Sequence, residues 1–499
     1  MKKHLLTLFI LLLSVPMAQA EVTLSSLYSD HMVLQRDQTN YLWGWADVGE
    51  AISVSFDGET LSTTTGENGG WYVILPAAGL GDAKTLTVQG KNSITVSDIL
   101  MGDVWVCSGQ SNMGMSVKGS NDSENEIANA NYPNIRYFQV PLTVALTEQT
   151  NTNGSWVLTT PAVAGNYSAA AYFFGRELHK DLDVPIGLIG TAWGGTAIES
   201  WMSQSATELS ETYTKLNNDW KADLVKSGDV MASYFNNRGA GRVEKPNTKR
   251  GVGGAPNIPS FNYNSMIAPL WRFGITGAIW YQGESNAGRA YQYRDLMQTM
   301  IIDWRNQFKQ GEFPFIITQL ANFQAREAEP SDNAWAELRE AQSLASAEMN
   351  NVGIATIIDI GDAKDIHPKN KQDVGYRLAQ SALDIAYGAD VVPEGPTYKS
   401  MKVKGDNIIL SFDYVGEGLM AKGGSLKGFA IAGADKKFVW ADAVIKGKKV
   451  VVSSDAVENP VAVRYGWAIN PECTLYNEAD LPASPFRTDD FLMITRDNW

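Results

Sequence analysis

Histidine is the scarce group in this chain. Only four occur in 499 residues, and they are the side chains that ordinarily exchange a proton near neutral pH. His4 lies in the apolar N-terminal stretch. His179 sits near a helix end beside Glu177 and Lys180, where a solvated or capping role fits. His31, in LYSDHMVLQR, falls in a strand-rich region and reads as an edge histidine. His367 is different. It lies in GDAKDIHPKNKQ, after the apolar run 354–359 and before a helical stretch opened by Pro368. A loop at the carboxyl end of a buried strand is where open α/β sheets build their sites. Asp365, two residues upstream, could hold the imidazole and stabilise it once protonated.

A base needs a nucleophile. DVWVCSGQSNMG runs from an apolar stretch into a glycine turn, which places Ser111 at a strand's carboxyl end with backbone N–H groups near its hydroxyl. No G-x-S-x-G sequence occurs, which argues against the nucleophile elbow of α/β-hydrolases. Two other apolar runs end in polar clusters. The run 186–190 leaves through Gly194 and Gly195, whose N–H groups can approach a ligand closely. The run 277–281 exits into Gln282-Gly283-Glu284-Ser285-Asn286, where the amides of Gln282 or Asn286 could donate to an oxyanion. Metal chemistry has no support, because there is no paired His or Cys spacing and the carboxylates are scattered.

These residues need a scaffold. From 21 to 99 short alternating runs are broken by turns: 51–56 and 59–64 flank Asp57-Gly58, a type I′ hairpin signal, and 71–75 and 85–88 continue the series. The expectation is an all-β module, a small sandwich. From 100 to 390, apolar strands at 103–107, 186–190, 277–281, 315–320 and 354–359 alternate with helices at 168–181, 291–308, 334–349 and 371–387. That alternation predicts a parallel sheet covered on both faces. From 391 to 499 strands return, at 408–412, 428–432, 437–440 and 449–453, predicting a second β module. Residues 236–259, rich in Gly, Asn, Arg and Pro, read as a long loop.

Composition narrows the function classes. With 44% hydrophobic and 19% charged residues the chain has an ordinary folded composition. Its net charge of −14 disfavours nucleic acid and anionic membrane surfaces. Lys2 and Lys3, the apolar run 5–15 and Ala18-Gln19-Ala20 form a secretory leader cleaved before Glu21. The run is too short to span a bilayer, and no Cys follows the cleavage site to carry a lipid. An exported, released protein, periplasmic or extracellular, is the expectation. Cys107 and Cys473 permit at most one disulfide.

GQSNM at Ser111, AWGGTAIESW ending at Trp201, WYQGESNA from Trp280 and DIHPKNKQ from Asp365 together resemble the conserved blocks of the SGNH-hydrolase superfamily, and most closely its sialate O-acetylesterase branch. The resemblance covers nearly the whole mature chain. It implies a flavodoxin-like three-layer α/β/α sandwich flanked by β modules, and cofactor-free removal of acetyl groups from sugar hydroxyls. By that resemblance Ser111 is the nucleophile, His367 the base and then acid, and Asp365 its support. The N–H groups of Ser111 and of Gly194 or Gly195, with the side chain of Gln282 or Asn286, would bind the oxyanion. Two departures stand out. The superfamily's usual acid position, three residues before the His, holds Lys364, so Asp365 stands one residue off, with Asp362 as the alternative acid and a Ser–His dyad without an acid as the remaining one; and Q-G-E-S-N replaces the usual G-x-N-D.

The motifs do not choose among acetylated sialic acid, acetylated xylan and other glycans as substrate. A lipase of the same superfamily would call for apolar loops near Ser111, whereas these are polar and aromatic. An inactive glycan-binding protein would lack the nucleophile or base, and both are present.

Overall fold

The computed structural model describes residues 21–227 and 257–499. The leader at 1–20 and residues 236–256 of the expected loop lie outside the described residues.

The first region builds two packed layers. Thr23–Leu24 (β1), Asn40–Trp45 (β3) and Gly70–Leu75 (β6) form one sheet, while Val33–Gln35 (β2) pairs elsewhere. Ala51–Phe56 (β4), Glu59–Thr64 (β5) and Lys84–Gln89 (β7) join the start of Ser93–Gly109 (β8) in the other. Asp57 and Gly58 both have positive φ, 51° and 82°, as a type I′ turn requires. Alternate residues such as Ile52, Val54 and Phe56 from one layer and Leu42, Trp71 and Val73 from the other share a core.

There is no linker at residue 100. β8 is a single 17-residue strand. Its first half pairs antiparallel with β7, Leu100 to Gly102 pair with β2, and the remainder becomes a central strand of the next sheet. The first module is thus rooted in the main sheet by continuous backbone.

That sheet adds Tyr132–Gln139 (β9), Trp156–Thr159 (β10), Ile186–Gly190 (β11), Gly277–Tyr281 (β12), Phe315–Thr318 (β13) and Val352–Ala355 (β14). The spatial order is β10-β9-β11-β8-β12-β13-β14, parallel throughout except for the antiparallel edge pair β10–β9. Taking β11, β8, β12, β13 and β14 alone, the order is 2-1-3-4-5, and the chain switches sides between β8 and β12. β9 and β10, absent from the sequence expectation, extend the far edge. The expected strand at 354–359 is displaced to Val352–Ala355, and Thr356 to Asp359 already belong to the following loop.

Alternation along each strand divides the core. Val104, Val106, Ala278, Trp280, Phe315 and Ile317 face one side; Trp105, Cys107, Ile279, Tyr281 and Ile316 face the other. Besides the short Ser111–Gly114 (α1) and Ser123–Ala128 (α2), the α-helices among the described residues are Ala169–Leu182 (α3), Glu211–Ser227 (α4), Ala290–Phe308 (α5), Ala334–Glu348 (α6) and Lys371–Tyr387 (α7). α5 and α6 cover the first face, α3 and α7 the second. The sheet is therefore buried on both sides, which is why its strands read as unbroken apolar runs. Cys107 is buried and Cys473 half-buried, and both are free thiols.

The third region packs two antiparallel four-stranded sheets over Ile408, Leu410, Phe429, Ile431, Val450 and Val463. Arg339, fully buried on α6, ties this region to the main sheet by donating to the carbonyls of Ala468 and Ile469 and of Leu320 and Ala321. No helix among the described residues is long and apolar enough to cross a membrane.

Candidate active site

β8 ends in a turn that only glycine can make. Gly109 has φ 139°, and a Cβ there would lie 2.2 Å from the Tyr281 carbonyl oxygen. The turn is clamped from both sides: Gln110 N–H donates to Tyr281 O at 3.0 Å and Trp193 N–H to Gly109 O at 3.0 Å. Ser111 then opens α1, so its N–H belongs to the first turn and has no acceptor within the helix.

His367 arrives from the loop after β14. The base of that loop is fixed by Arg377 on α7, whose two Nη groups bond Asp359 Oδ1 and Oδ2 at 2.6 and 2.8 Å. Burial raises the Asp359 carboxyl, but Arg377 and the Tyr476 hydroxyl, which donates at 2.9 Å, hold it below the usual range. At the loop's tip His367 Nε2 lies 2.9 Å from Ser111 Oγ, and Nδ1 lies 3.2 Å from Asp365 Oδ1. Because a carboxylate only accepts, Nδ1 carries the hydrogen and Nε2 is left to accept from Ser111. Asp365 Oδ1 also accepts the His367 backbone N–H at 2.9 Å, and this bond leads the effects that lower its pKa. Asp362, the alternative acid, turns to its own backbone and accepts from Lys364 N–H at 2.7 Å.

The proposed oxyanion donors divide. Gly194 stands against the serine: a Cβ there would lie 3.3 Å from Ser111 Cβ. Gly195, with φ 74°, faces open space. Gln282 requires a correction. It is fully buried and both amide hydrogens are committed, to Thr196 O at 3.0 Å and Asn286 Oδ1 at 2.7 Å, while its Oε1 accepts from Tyr293. It braces the loop after β11 and has no hydrogen left for an oxyanion. Asn286, 1% exposed, accepts from Ile198 N–H and gives one amide hydrogen to Glu199. Glu199 in turn pairs with Arg289; burial raises its carboxyl, but Arg289 and Asn286 bring it below the usual range.

Two buried residues that motif reading passes over join the site loops. Asn112, next to Ser111, donates to Glu284 Oε1 at 2.6 Å and to the Ile366 carbonyl at 3.0 Å, and accepts from Lys371 Nζ at 2.7 Å. One side chain thus joins the Ser111 turn, the loop after β12, the histidine loop and α7. Burial pushes the Lys371 amine down to about 7, against the pull of Glu284 and Asp365. Burial raises Glu284, whose Oε2 has no hydrogen-bond partner among the described residues. The available signals were the Asn inside GQSNM and a lysine four residues after the histidine.

Gly195, next in the chain to Gly194, and Ser285 line a cavity of about 480 Å³. Its wall carries the Glu199–Arg289 pair, and Asn257 shapes the rim by donating to Gly195 O at 2.9 Å and accepting from Ala197 N–H at 2.7 Å. His31 and His179 stand elsewhere, the first on Asp98 and the second donating to the Val184 carbonyl.

The family model for carbohydrate esterases described as sialic acid-specific acetylesterase matches residues 101–233 and 255–384. Sialate O-acetylesterases of Mus musculus and Rattus norvegicus are 30% and 29% identical, in each case over 93% of this chain and 93% of the relative. A carbohydrate acetylesterase from Xanthomonas citri superposes with TM-score 0.83 and 40% identity, covering 94% of this chain and 100% of that one. This chain therefore belongs to the carbohydrate-esterase family of sialic acid-specific acetylesterases and is a carboxylic ester hydrolase.

Proposed function

We propose that this protein is an exported carbohydrate O-acetylesterase working through a Ser111–His367–Asp365 acyl-transfer system on an SGNH, flavodoxin-like hydrolase domain. The observation that carries it is the 2.9 Å contact of His367 Nε2 with Ser111 Oγ, with Asp365 behind Nδ1. The 2-1-3-4-5 order of the five core strands supports the flavodoxin-like reading. It puts Ser111 beside the β8/β12 switch point, where such sheets bind ligands. The division into modules at 21–99, 100–390 and 391–499 and the leader at 1–20 belong to the same proposal.

Ser111 Oγ attacks the acetyl carbonyl carbon while its proton passes to His367 Nε2. The N–H groups of Ser111 and Gly194 receive the oxyanion, with the second amide hydrogen of Asn286 as the side-chain candidate. The tetrahedral centre collapses, the bond to the sugar oxygen breaks, and that oxygen takes the proton from His367. Water attacks the acetyl-serine, giving its proton to His367, and acetate leaves as Ser111 is reprotonated.

Acetate release from O-acetylated saccharides, sialic acids and xylan among them, tests the assignment and ranks the substrates. Ser111→Ala should lower turnover by about 10⁴-fold or more. It should change stability by no more than about 1 kcal/mol, since one exchangeable hydrogen bond is lost. Comparable turnover by this variant and the parent would remove Ser111 from the chemistry.

A further inference from the structure

The segment following the last strand returns from the third region to the main sheet. Glu337 on α6, 1% exposed, accepts from the backbone N–H groups of Ile494 and Thr495 at 2.6 and 3.1 Å. Thr495 Oγ1 accepts from Tyr291 N–H at 3.0 Å, at the start of α5. Asn498 donates its amide to the Gly288 carbonyl at 2.8 Å and its own carbonyl accepts from Gln292. This is a chain held at five points, so the position of the residue that follows is set by the fold. That residue, Trp499, lines the same cavity as Gly195, Trp220, Glu199 and Arg289.

The chemistry of this wall is specific. Trp499 remains 48% exposed, and Lys215 Nζ sits 4.1 Å from its ring centroid. A cavity of about 480 Å³ is far larger than an acetyl group needs and falls in the range that takes whole small molecules. An exposed indole next to a carboxylate–guanidinium pair, a serine and an asparagine offers one flat apolar surface and polar groups of both kinds. A pyranose ring presents that same combination, with C–H faces above and below a belt of hydroxyls.

From this placement, and resting on the carbohydrate esterase reading above, we infer that Trp499 is a specificity-determining residue that seats the pyranose ring of the acetylated substrate. The third region, remote in sequence from Ser111, thereby completes the sugar site of the hydrolase domain. The acetyl group reaches Ser111 while the ring rests in the adjoining cavity.

Steady-state kinetics of the full-length protein, with Trp499→Ala and Trp499→Phe, test this on acetylated xylo-oligosaccharides, 9-O-acetyl sialic acid and 4-nitrophenyl acetate. Trp499→Ala should raise KM for the preferred saccharide about tenfold with kcat within about twofold, and Trp499→Phe should restore most of the affinity. The effect on 4-nitrophenyl acetate, which has no sugar ring, should be smaller by a comparable factor. An unchanged saccharide KM overturns the role of Trp499 and leaves the esterase reading standing. Equal losses on all substrates overturn it in favour of a structural role, which a lowered melting temperature would report. Should the parent hydrolyse 4-nitrophenyl acetate but release no acetate from saccharides, the carbohydrate reading itself falls, and this inference with it.

Discussion

Replacing Asp365 by Asn separates the charge of the proposed supporting acid from its geometry. In the fold, Asp365 Oδ1 accepts from both Nδ1 and the backbone N–H of His367. An asparagine oxygen can accept both hydrogens in the same place, so the substitution removes the negative charge and little else. Two unit charges about 4 Å apart interact by about 1 kcal/mol in water and about 4 kcal/mol at an effective dielectric near 20. The Asp365 side chain is 46% exposed, which puts it near the watery limit. The imidazolium formed in the transition state should therefore lose about 1–1.5 kcal/mol of stabilisation, and kcat/KM should fall roughly 5- to 15-fold. That is far below the roughly 10⁴-fold cost of the same change at a buried triad acid. Asp365→Ala, which also removes the acceptor that shapes the histidine loop, should cost about tenfold more. The assay is hydrolysis of 4-nitrophenyl acetate near pH 7.5, with Asp362→Asn alongside. A 10³-fold loss in Asp365→Asn, or a larger loss in Asp362→Asn, would refute the reasoning, since the charge that matters would then be buried or elsewhere.

Gly109→Ala should destabilise the protein by about 3 kcal/mol or more, because the residue must hold φ 139° with its Cβ direction 2.2 Å from a carbonyl oxygen; urea unfolding with an unchanged midpoint would show that the turn has another way to form. Asn112→Ala should lower stability by about 3–5 kcal/mol, since it leaves the Lys371 amine and the Glu284 carboxyl buried without their shared partner; a melting temperature within a degree or two of the parent would contradict the joining role given to Asn112. Asp303 on α5 is 1% exposed, and burial pushes its carboxyl up to about 6 although Ser203 N–H and hydroxyl pull it down. Between its ordinary value near 4 and about 6 the folded state keeps a proton that the unfolded chain has released, so stability falls as pH rises through that window, by an amount on the order of 3 kcal/mol. Asp303→Asn should flatten this part of the profile, and parallel pH–stability curves for variant and parent would show that Asp303 does not titrate as argued.

Much of the architecture is legible in linear order because the central strands are buried on both faces. Runs such as GAIWY and IGLIG have no polar face to disguise them, and the helices between them keep an amphipathic period. Ser111 and His367 stand out for the same local reason, each lying just past such a run. The strand Tyr132–Gln139, next to the sheet's edge, is invisible by contrast. Its YPNIRYFQ carries Arg136 inward, where Asp98 neutralises it at 3.0 Å, so an apolar pattern is broken by a charge that only a distant partner makes tolerable.

Gln282 shows the limit most plainly. Its type and position suit an oxyanion donor, yet hydrogen bonds from one side chain are finite, and contacts with Thr196 and Asn286 use both. The choice between Asp365 and Asp362 likewise turns on which carboxylate the loop folds toward, and not on spacing alone. Asn112, Lys371 and Trp499 acquire their places from hydrogen bonds between chain segments 157 to 259 residues apart. Local residue types state which chemistry is available, whereas burial and the competition for each donor are set by neighbours that only the folded chain brings together.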